Sequence, residues 1–119
     1  MKKRILIFDD DKDILQLSKA IFNKNGYDVE TWEHCNQMLQ TVERYQPDMI
    51  IFDHQMPGMN GSDAIRQLKS NETYKNIPVV YFSSVNKIAG IARQIKANAY
   101  LQKPADTDSL LDVVNKLIG

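Results

Sequence analysis

The chain has 119 residues, of which 43% are hydrophobic and 25% charged, and its formal net charge at pH 7 is zero. This length and composition predict one domain, residues 1–119, and the balanced charge gives no electrostatic case for nucleic acid or an anionic membrane as a partner. The basic start MKKR precedes only four apolar residues, too few for an export signal or a membrane span. The single cysteine, Cys35, cannot form an internal disulfide, so we expect a cytoplasmic protein in which Cys35 is a small packed residue.

Apolar segments of strand length alternate with segments of helical periodicity along the chain. The segments ILIF and VVYF show no polar alternation, which is typical of strands buried on both faces of a sheet. The predicted strands cover Arg4–Phe8, Tyr27–Trp32, Met49–Phe52, Pro78–Phe82 and Ala99–Leu101.

Five helices are predicted in the intervals after these strands. In chain order, their apolar positions are Ile14, Leu17 and Ile21; Met38, Leu39, Val42 and Tyr45; Ile65 and Leu68; Ile88, Ile91, Ala92 and Ile95; and Leu110, Val113, Val114 and Leu117. The expected helix ends and caps are Asn25-Gly26, Pro47, Ser62 or Asp63, and Asp106 or Thr107. Five strand–helix units at this spacing predict an α/β fold with helices on both faces of a parallel sheet.

Reactive side chains follow four of the five predicted strands. They are Asp9 and Asp10 after the first strand, Asp53 after the third, Ser83 after the fourth and Lys103 after the fifth. Because ligands in open parallel sheets bind at the carboxyl ends of the strands, we expect these side chains at one edge. Two carboxylates about 4 Å apart repel by ~4 kcal/mol at an effective dielectric of about 20, so three of them need a cation. Hard carboxylate oxygens suit Mg²⁺.

These residue types suit the acceptance of a phosphoryl group. A carboxylate beside Mg²⁺ can attack phosphorus and form an aspartyl phosphate, and an ammonium and a hydroxyl group can bind the negative oxygens of the transferred group. A plainer interpretation also exists for the acidic run Asp9–Asp11 taken alone, because acidic residues favour a helix N-terminus.

Four motifs occur in order along the chain, namely FDDDKD, IIFDHQMPGMNG, VVYFSS and AYLQKP. Together they resemble the receiver domain of two-component response regulators, of the chemotaxis-regulator type, over essentially the full length. The resemblance implies a flavodoxin-like, doubly wound (βα)5 fold of three layers, with five parallel strands in the order 2-1-3-4-5.

The resemblance also implies a role for each matching residue. Asp53 would be the phosphoacceptor, and Asp9, Asp10, Asp53 and the backbone carbonyl of Gln55 would bind Mg²⁺. Ser83 and Lys103 would bind the phosphoryl group. Tyr100 would act with Ser83 as the aromatic switch, and the Lys103-Pro104 bond would be cis.

A phosphorylation-driven switch has characteristic partners. A sensor histidine kinase or a histidine phosphotransfer protein would donate the phosphoryl group. The signal would then pass to a downstream target protein or to an output domain that is absent from this sequence. In this interpretation the protein is not an enzyme, apart from catalysing its own phosphoryl transfer and slow dephosphorylation.

Two other functional classes fit the sequence less well. An aspartate-nucleophile phosphatase of the haloacid-dehalogenase type needs D-x-D-x-T, but Asp11 and Asp13 follow Asp9 at those spacings. An interaction module that works without phosphorylation would not need Asp9, Asp10 and Asp53, so the presence of all three argues against this class. The two histidines, His34 and His54, lack metal-ligand spacing and are predicted to be solvated turn residues.

Overall fold

Within residues 2–119, five β-strands and five α-helices alternate along the chain, as predicted. The structure is a computed structural model and describes residues 2–119. In order, the elements are β1 (Arg4–Phe8), α1 (Lys12–Lys24), β2 (Asp28–Trp32), α2 (Met38–Tyr45), β3 (Met49–Asp53), α3 (Gly61–Lys69), β4 (Val79–Ser83), α4 (Ile88–Gln94), β5 (Ala99–Gln102) and α5 (Thr107–Ile118). Each predicted strand differs from the observed one by at most one residue at either end.

The strands form one parallel sheet in the order β2-β1-β3-β4-β5. Leu6 of β1, for example, lies between Glu30 of β2 and Ile50 of β3. The central strands β3 and β4 are buried along their whole length, because their continuous apolar runs face helices on both sides. The flavodoxin-like fold and its strand order are therefore confirmed.

Two apolar layers fill the space between the sheet and the helices. On one face, the sheet packs against α2, α3 and α4, and Phe8 and Phe52 stack there with ring centroids 5.0 Å apart. On the other face, Ile7 and Val80 contribute to a layer shared with α1 and α5. Since adjacent residues of a strand point to opposite faces, each central strand supplies both layers.

The buried face of α1 differs from the predicted one. Leu15, Ser18 and Phe22 are buried, whereas Leu17 is 60% exposed. The predicted stripe of Ile14, Leu17 and Ile21 lies one residue earlier in each turn and so borders the buried face, because one residue rotates the helix surface by about 100°.

Helix capping agrees with the sequence at α5 and differs at α3. Asp106 caps α5 by accepting a hydrogen bond from the backbone N–H of Ser109 at 2.8 Å. The cap of α3 is Asn60, and neither Ser62 nor Asp63 has that role. Asn60 lies immediately before the helix, so its Oδ1 can accept from the backbone N–H of Asp63 at 2.9 Å, while the Ser62 hydroxyl donates to the same oxygen.

The helices are short relative to a bilayer. The longest, α1, has 13 residues, whereas a spanning helix needs about 20 apolar residues. Within residues 2–119, no helix combines the length and the apolar character that a membrane span requires.

The thiol of Cys35 should be unreactive in the folded protein. Cys35 is 1% exposed, and burial raises the pKa of its thiol to about 12, with the Asp53 charge acting in the same direction. At pH 8 nearly all of the folded thiol would therefore stay protonated. We expect a thiol-specific disulfide reagent to label the protein stoichiometrically only in denaturant. Fast stoichiometric labelling of the native protein would contradict this burial.

Candidate functional site

Four of the predicted site residues meet at the carboxyl edge of the sheet. Asp9 follows β1, Asp53 ends β3, Ser83 ends β4 and Lys103 follows β5. The Lys103 Nζ donates to Asp9 Oδ2 and to Asp53 Oδ1, both at 2.9 Å. Lys103 lies 94 positions from Asp9 and 50 positions from Asp53 in the chain. The three residues nevertheless form one ionic cluster, because parallel strands end at the same edge of the sheet.

Asp10 completes a cluster of three carboxylates with Asp9 and Asp53. One oxygen of each lies within 4.8 Å of the others. Asp9 is 1% exposed and Asp53 6%, while Asp10 is exposed. Three carboxylates face the single ammonium group of Lys103, which leaves these four groups with a formal charge of −2. Hard oxygen donors in this number, with unbalanced negative charge, fit a divalent cation such as Mg²⁺.

Burial and the excess of negative charge shift the pKa values of Asp9, Asp53 and Lys103. Burial raises the pKa of both Asp9 and Asp53, and the hydrogen bonds from Lys103 oppose the increase without cancelling it. For Lys103, burial alone would lower the pKa, but the hydrogen bonds and charges of the two carboxylates outweigh it and raise the pKa. Lys103 therefore stays protonated at neutral pH, and the carboxylates are held in a setting that penalises their charge.

The cluster borders a cavity of about 270 Å³ at the surface. Its lining includes Asp10, Asp53, Gln55, Ser83 and Lys103. Asp53 is therefore close to Asp10 and accessible from the cavity, although little of its side chain is exposed. A small anionic group can reach its carboxylate by this route.

A close backbone contact positions Asp53. The N–H of Gly61, the first residue of α3, donates to the carbonyl oxygen of His54 at 2.8 Å. A Cβ atom at position 61 would lie 1.8 Å from the carbonyl oxygen of Asp53. Only glycine allows α3 to begin this close to the end of β3. The sequence placed Gly61 within a motif, but this close approach is a tertiary contact that no local pattern reveals.

The remaining predicted site residues lie around the cluster. Ser83 is 2% exposed, and its Oγ accepts from the backbone N–H of Val85 at 3.2 Å. Gln55 is an exposed residue of the loop after β3. Tyr100 lies on β5 with 47% of its surface exposed. The Lys103-Pro104 bond is cis.

Neither histidine is the freely solvated residue that was predicted. The half-buried ring of His34 contacts Trp32 edge-on, with the centroids 5.7 Å apart. His54 lines the site cavity, and its Nδ1 is hydrogen-bonded to the hydroxyl group of Tyr81. Both rings are only partly solvated, because Trp32, two residues before His34, and Tyr81, 27 residues after His54, pack against them.

Comparison with known proteins identifies relatives of the chain. Residues 5–115 match the family described as the response regulator receiver domain. The chain is 31% identical to sporulation initiation phosphotransferase F of Bacillus subtilis over 122 aligned residues, which cover 99% of the chain and 95% of that protein. It is 30% identical over 116 residues to the CAI-1 autoinducer sensor kinase/phosphatase CqsS of Vibrio cholerae, but spans only 17% of that protein.

The fold comparison agrees with the sequence comparison. The chemotaxis response regulator CheY4 of Vibrio cholerae superposes with a TM-score of 0.90 at 23% identity, over 99% of this chain and all of that one. At 23% identity, this superposition shows a shared fold and nothing more. The match of residues 5–115 to the family shows the family. The chain belongs to the response regulator receiver domain family of two-component signalling.

Proposed function

We propose that residues 1–119 form a single receiver domain that accepts a phosphoryl group on Asp53. The main support is the bridge that Lys103 makes to Asp9 and Asp53 within a carboxylate cluster beside an accessible cavity. A site built only for stability would gain little from three like charges held this close together.

In the proposed reaction, a carboxylate oxygen of Asp53 forms a bond to phosphorus. The bond between phosphorus and the imidazole nitrogen of the donor's phosphohistidine breaks at the same time. Asp9, Asp10, Asp53 and the backbone carbonyl of Gln55 would hold Mg²⁺. When bound, this ion would offset the negative charge that gathers on the phosphoryl oxygens.

Lys103 and Ser83 would bind the phosphoryl group after transfer. Lys103 already donates to Asp53, so its ammonium group lies beside the atom that becomes phosphorylated. Ser83 ends the neighbouring strand β4 and lines the same cavity, and its hydroxyl would donate to a phosphoryl oxygen. Ser83 would move towards the phosphoryl group, and Tyr100 would move with it. The population of conformations would then shift from inactive to active, with a changed surface around α4, β5 and α5.

In this proposal the protein is a signalling switch in the cytoplasm and does not turn over an external substrate. Its phosphoryl donor would be a sensor histidine kinase or a histidine phosphotransfer protein. Its output would be a downstream target protein or an output domain outside this sequence. The named relatives, a sensor kinase/phosphatase and a phosphotransferase, are consistent with a place in such a relay.

Mass spectrometry after incubation with a small acyl-phosphate donor tests the proposal. We expect one added phosphoryl group that requires Mg²⁺, disappears with a chelator and is absent from Asp53→Asn. The variant Asp112→Asn, which alters an exposed carboxylate on α5 outside the cluster, should retain the adduct.

Three results would contradict the proposal or favour another functional class. An adduct that persists in Asp53→Asn would contradict Asp53 as the acceptor. Rapid release of phosphate from many unrelated esters would indicate a phosphatase. Partner binding that is unchanged by phosphorylation would indicate an interaction module that does not use the site.

A further inference from the structure

His54, the residue between Asp53 and Gln55, is held at both its backbone and its side chain. Its carbonyl oxygen accepts from the N–H of Gly61 at 2.8 Å, which ties it to α3. Its ring Nδ1 is hydrogen-bonded to the hydroxyl group of Tyr81, which ties it to β4. The two rings meet edge-on at 79°, with their centroids 5.8 Å apart. The peptide segment that carries the acceptor is thus anchored from two directions.

The hydroxyl group of Tyr81 stays protonated in the folded protein. The residue is fully buried, and burial raises the pKa of its hydroxyl; a hydrogen bond with Ser83 opposes this increase, and the Asp53 charge adds to it. The hydroxyl therefore keeps its proton, and it either donates to Nδ1 of His54 or accepts from it, according to the tautomer of the ring. In either tautomer this hydrogen bond holds the ring in one orientation in the wall of the site cavity.

The polar pair is unusual for its surroundings. Tyr81 belongs to the apolar layer between the sheet and helices α2, α3 and α4, where Phe8 and Phe52 are among its neighbouring core residues. Two apolar side chains of similar shape could fill this space without a desolvation penalty. What the hydrogen bond adds is orientation, because it fixes where the ring of His54 lies relative to β4.

We propose that His54 and Tyr81 act together as positioning residues for the phosphoryl site. The buried hydroxyl of Tyr81 holds the ring of His54, and His54 in turn fixes the Asp53 carboxylate and the Gln55 carbonyl, its covalent neighbours. A loss of this hydrogen bond widens the range of positions open to both groups. The inference rests on the proposed function, since it assigns residues to the geometry of that same site.

The test measures Mg²⁺ affinity and phosphorylation rate separately from stability. Three variants are compared with the wild-type protein: Tyr81→Phe, His54→Leu and the double variant. Equilibrium dialysis gives the Kd for Mg²⁺, mass spectrometry gives the phosphorylation rate with an acyl-phosphate donor, and urea unfolding gives the stability. We expect each single variant to weaken Mg²⁺ binding and slow phosphorylation by about two- to tenfold, the range for loss of one hydrogen bond. The double variant should be no worse than either single variant, since all three lack the same contact.

Two further variants separate positioning from a structural role. Tyr27→Phe removes another hydroxyl, which hydrogen-bonds Asn115 Oδ1 at 2.7 Å at a distance from the cluster. It should lower stability while leaving the Kd for Mg²⁺ unchanged. His54→Asn places an amide group, which can accept or donate a hydrogen bond, near the position of Nδ1 and should restore much of the affinity that His54→Leu loses.

The possible failures are distinguishable. A wild-type protein that neither binds Mg²⁺ nor becomes phosphorylated contradicts the proposed function, and this inference with it. A wild-type protein that does both, with Tyr81→Phe changed only in stability, overturns the positioning role alone. Effects of Tyr81→Phe and His54→Leu that add fully in the double variant would also overturn it, because the two residues would then act independently.

Discussion

Replacing Gly61 with alanine is expected to lower the free energy of unfolding by about 3 kcal/mol, the upper end for introducing an atom into a filled space. The added Cβ would lie 1.8 Å from the carbonyl oxygen and 2.7 Å from the carbonyl carbon of Asp53. Both are backbone atoms, so no side chain can rotate away to relieve the overlap. Either α3 or the end of β3 must move.

This movement should also impair the site. Gly61 donates to the His54 carbonyl, so a displaced α3 pulls on the segment that carries Asp53. Urea unfolding measures the stability, and the acyl-phosphate assay measures the accompanying loss of phosphorylation.

Gly90→Ala is the matched control for Gly61→Ala. Gly90 lies in α4, and a Cβ there would meet no atom within 4 Å. Alanine at this exposed helical position should increase stability by up to about 1 kcal/mol, because glycine loses more conformational freedom in a helix. A Gly61→Ala protein as stable as the wild type would show that α3 does not approach β3 this closely.

Replacing Lys103 with methionine is expected to cost about 3 kcal/mol of stability at pH 8 in the absence of Mg²⁺. The change leaves Asp9, which is 1% exposed, without the ammonium group that donates to it. Removing one partner of a buried ion pair costs about 3 to 5 kcal/mol, and we expect the lower end because Asp53 borders an accessible cavity. Equilibrium unfolding in urea measures the loss.

The pH dependence of the Lys103→Met variant has a defined sign. Burial already raises the pKa of Asp9 and Asp53, so the folded state binds protons more readily than the unfolded state. In that situation stability rises as the pH falls towards the ordinary carboxyl range, and it declines as the pH rises through the folded pKa. Since the variant also lacks the opposing hydrogen bonds from Lys103, its stability deficit should shrink between pH 8 and pH 5.

Lys75→Met provides the control for charge and side-chain length. Lys75 pairs with Glu72 at 3.0 Å, but the two side chains are 43% and 87% exposed. Exposed pairs of this kind contribute about 1 kcal/mol or less. A Lys103→Met protein that behaved like Lys75→Met, or whose deficit grew at low pH, would mean that Lys103 does not balance the buried carboxylates.

Local sequence patterns were enough to predict the fold class, the order of the elements and the reactive residue types at the carboxyl edge of the sheet. Continuous apolar runs predicted buried strands, and the spacing of Asp9, Asp53 and Lys103 after such runs predicted one shared edge. Both inferences succeed because strand burial and the geometry of a parallel sheet depend on local periodicity and on the order of the elements. The family resemblance added the strand order and the assignment of roles.

The buried face of α1 and the contacts that hold the loop after β3 are visible only in the folded structure. Leu17 is exposed although it belongs to the apolar stripe predicted for α1, because α1 packs with Leu15 and Phe22 towards the sheet. Gly61 is required by a backbone approach to Asp53, and His54 is oriented by Tyr81, 27 residues further along the chain. Such contacts depend on how elements pack in three dimensions, and packing between distant segments leaves no periodic signal in either segment.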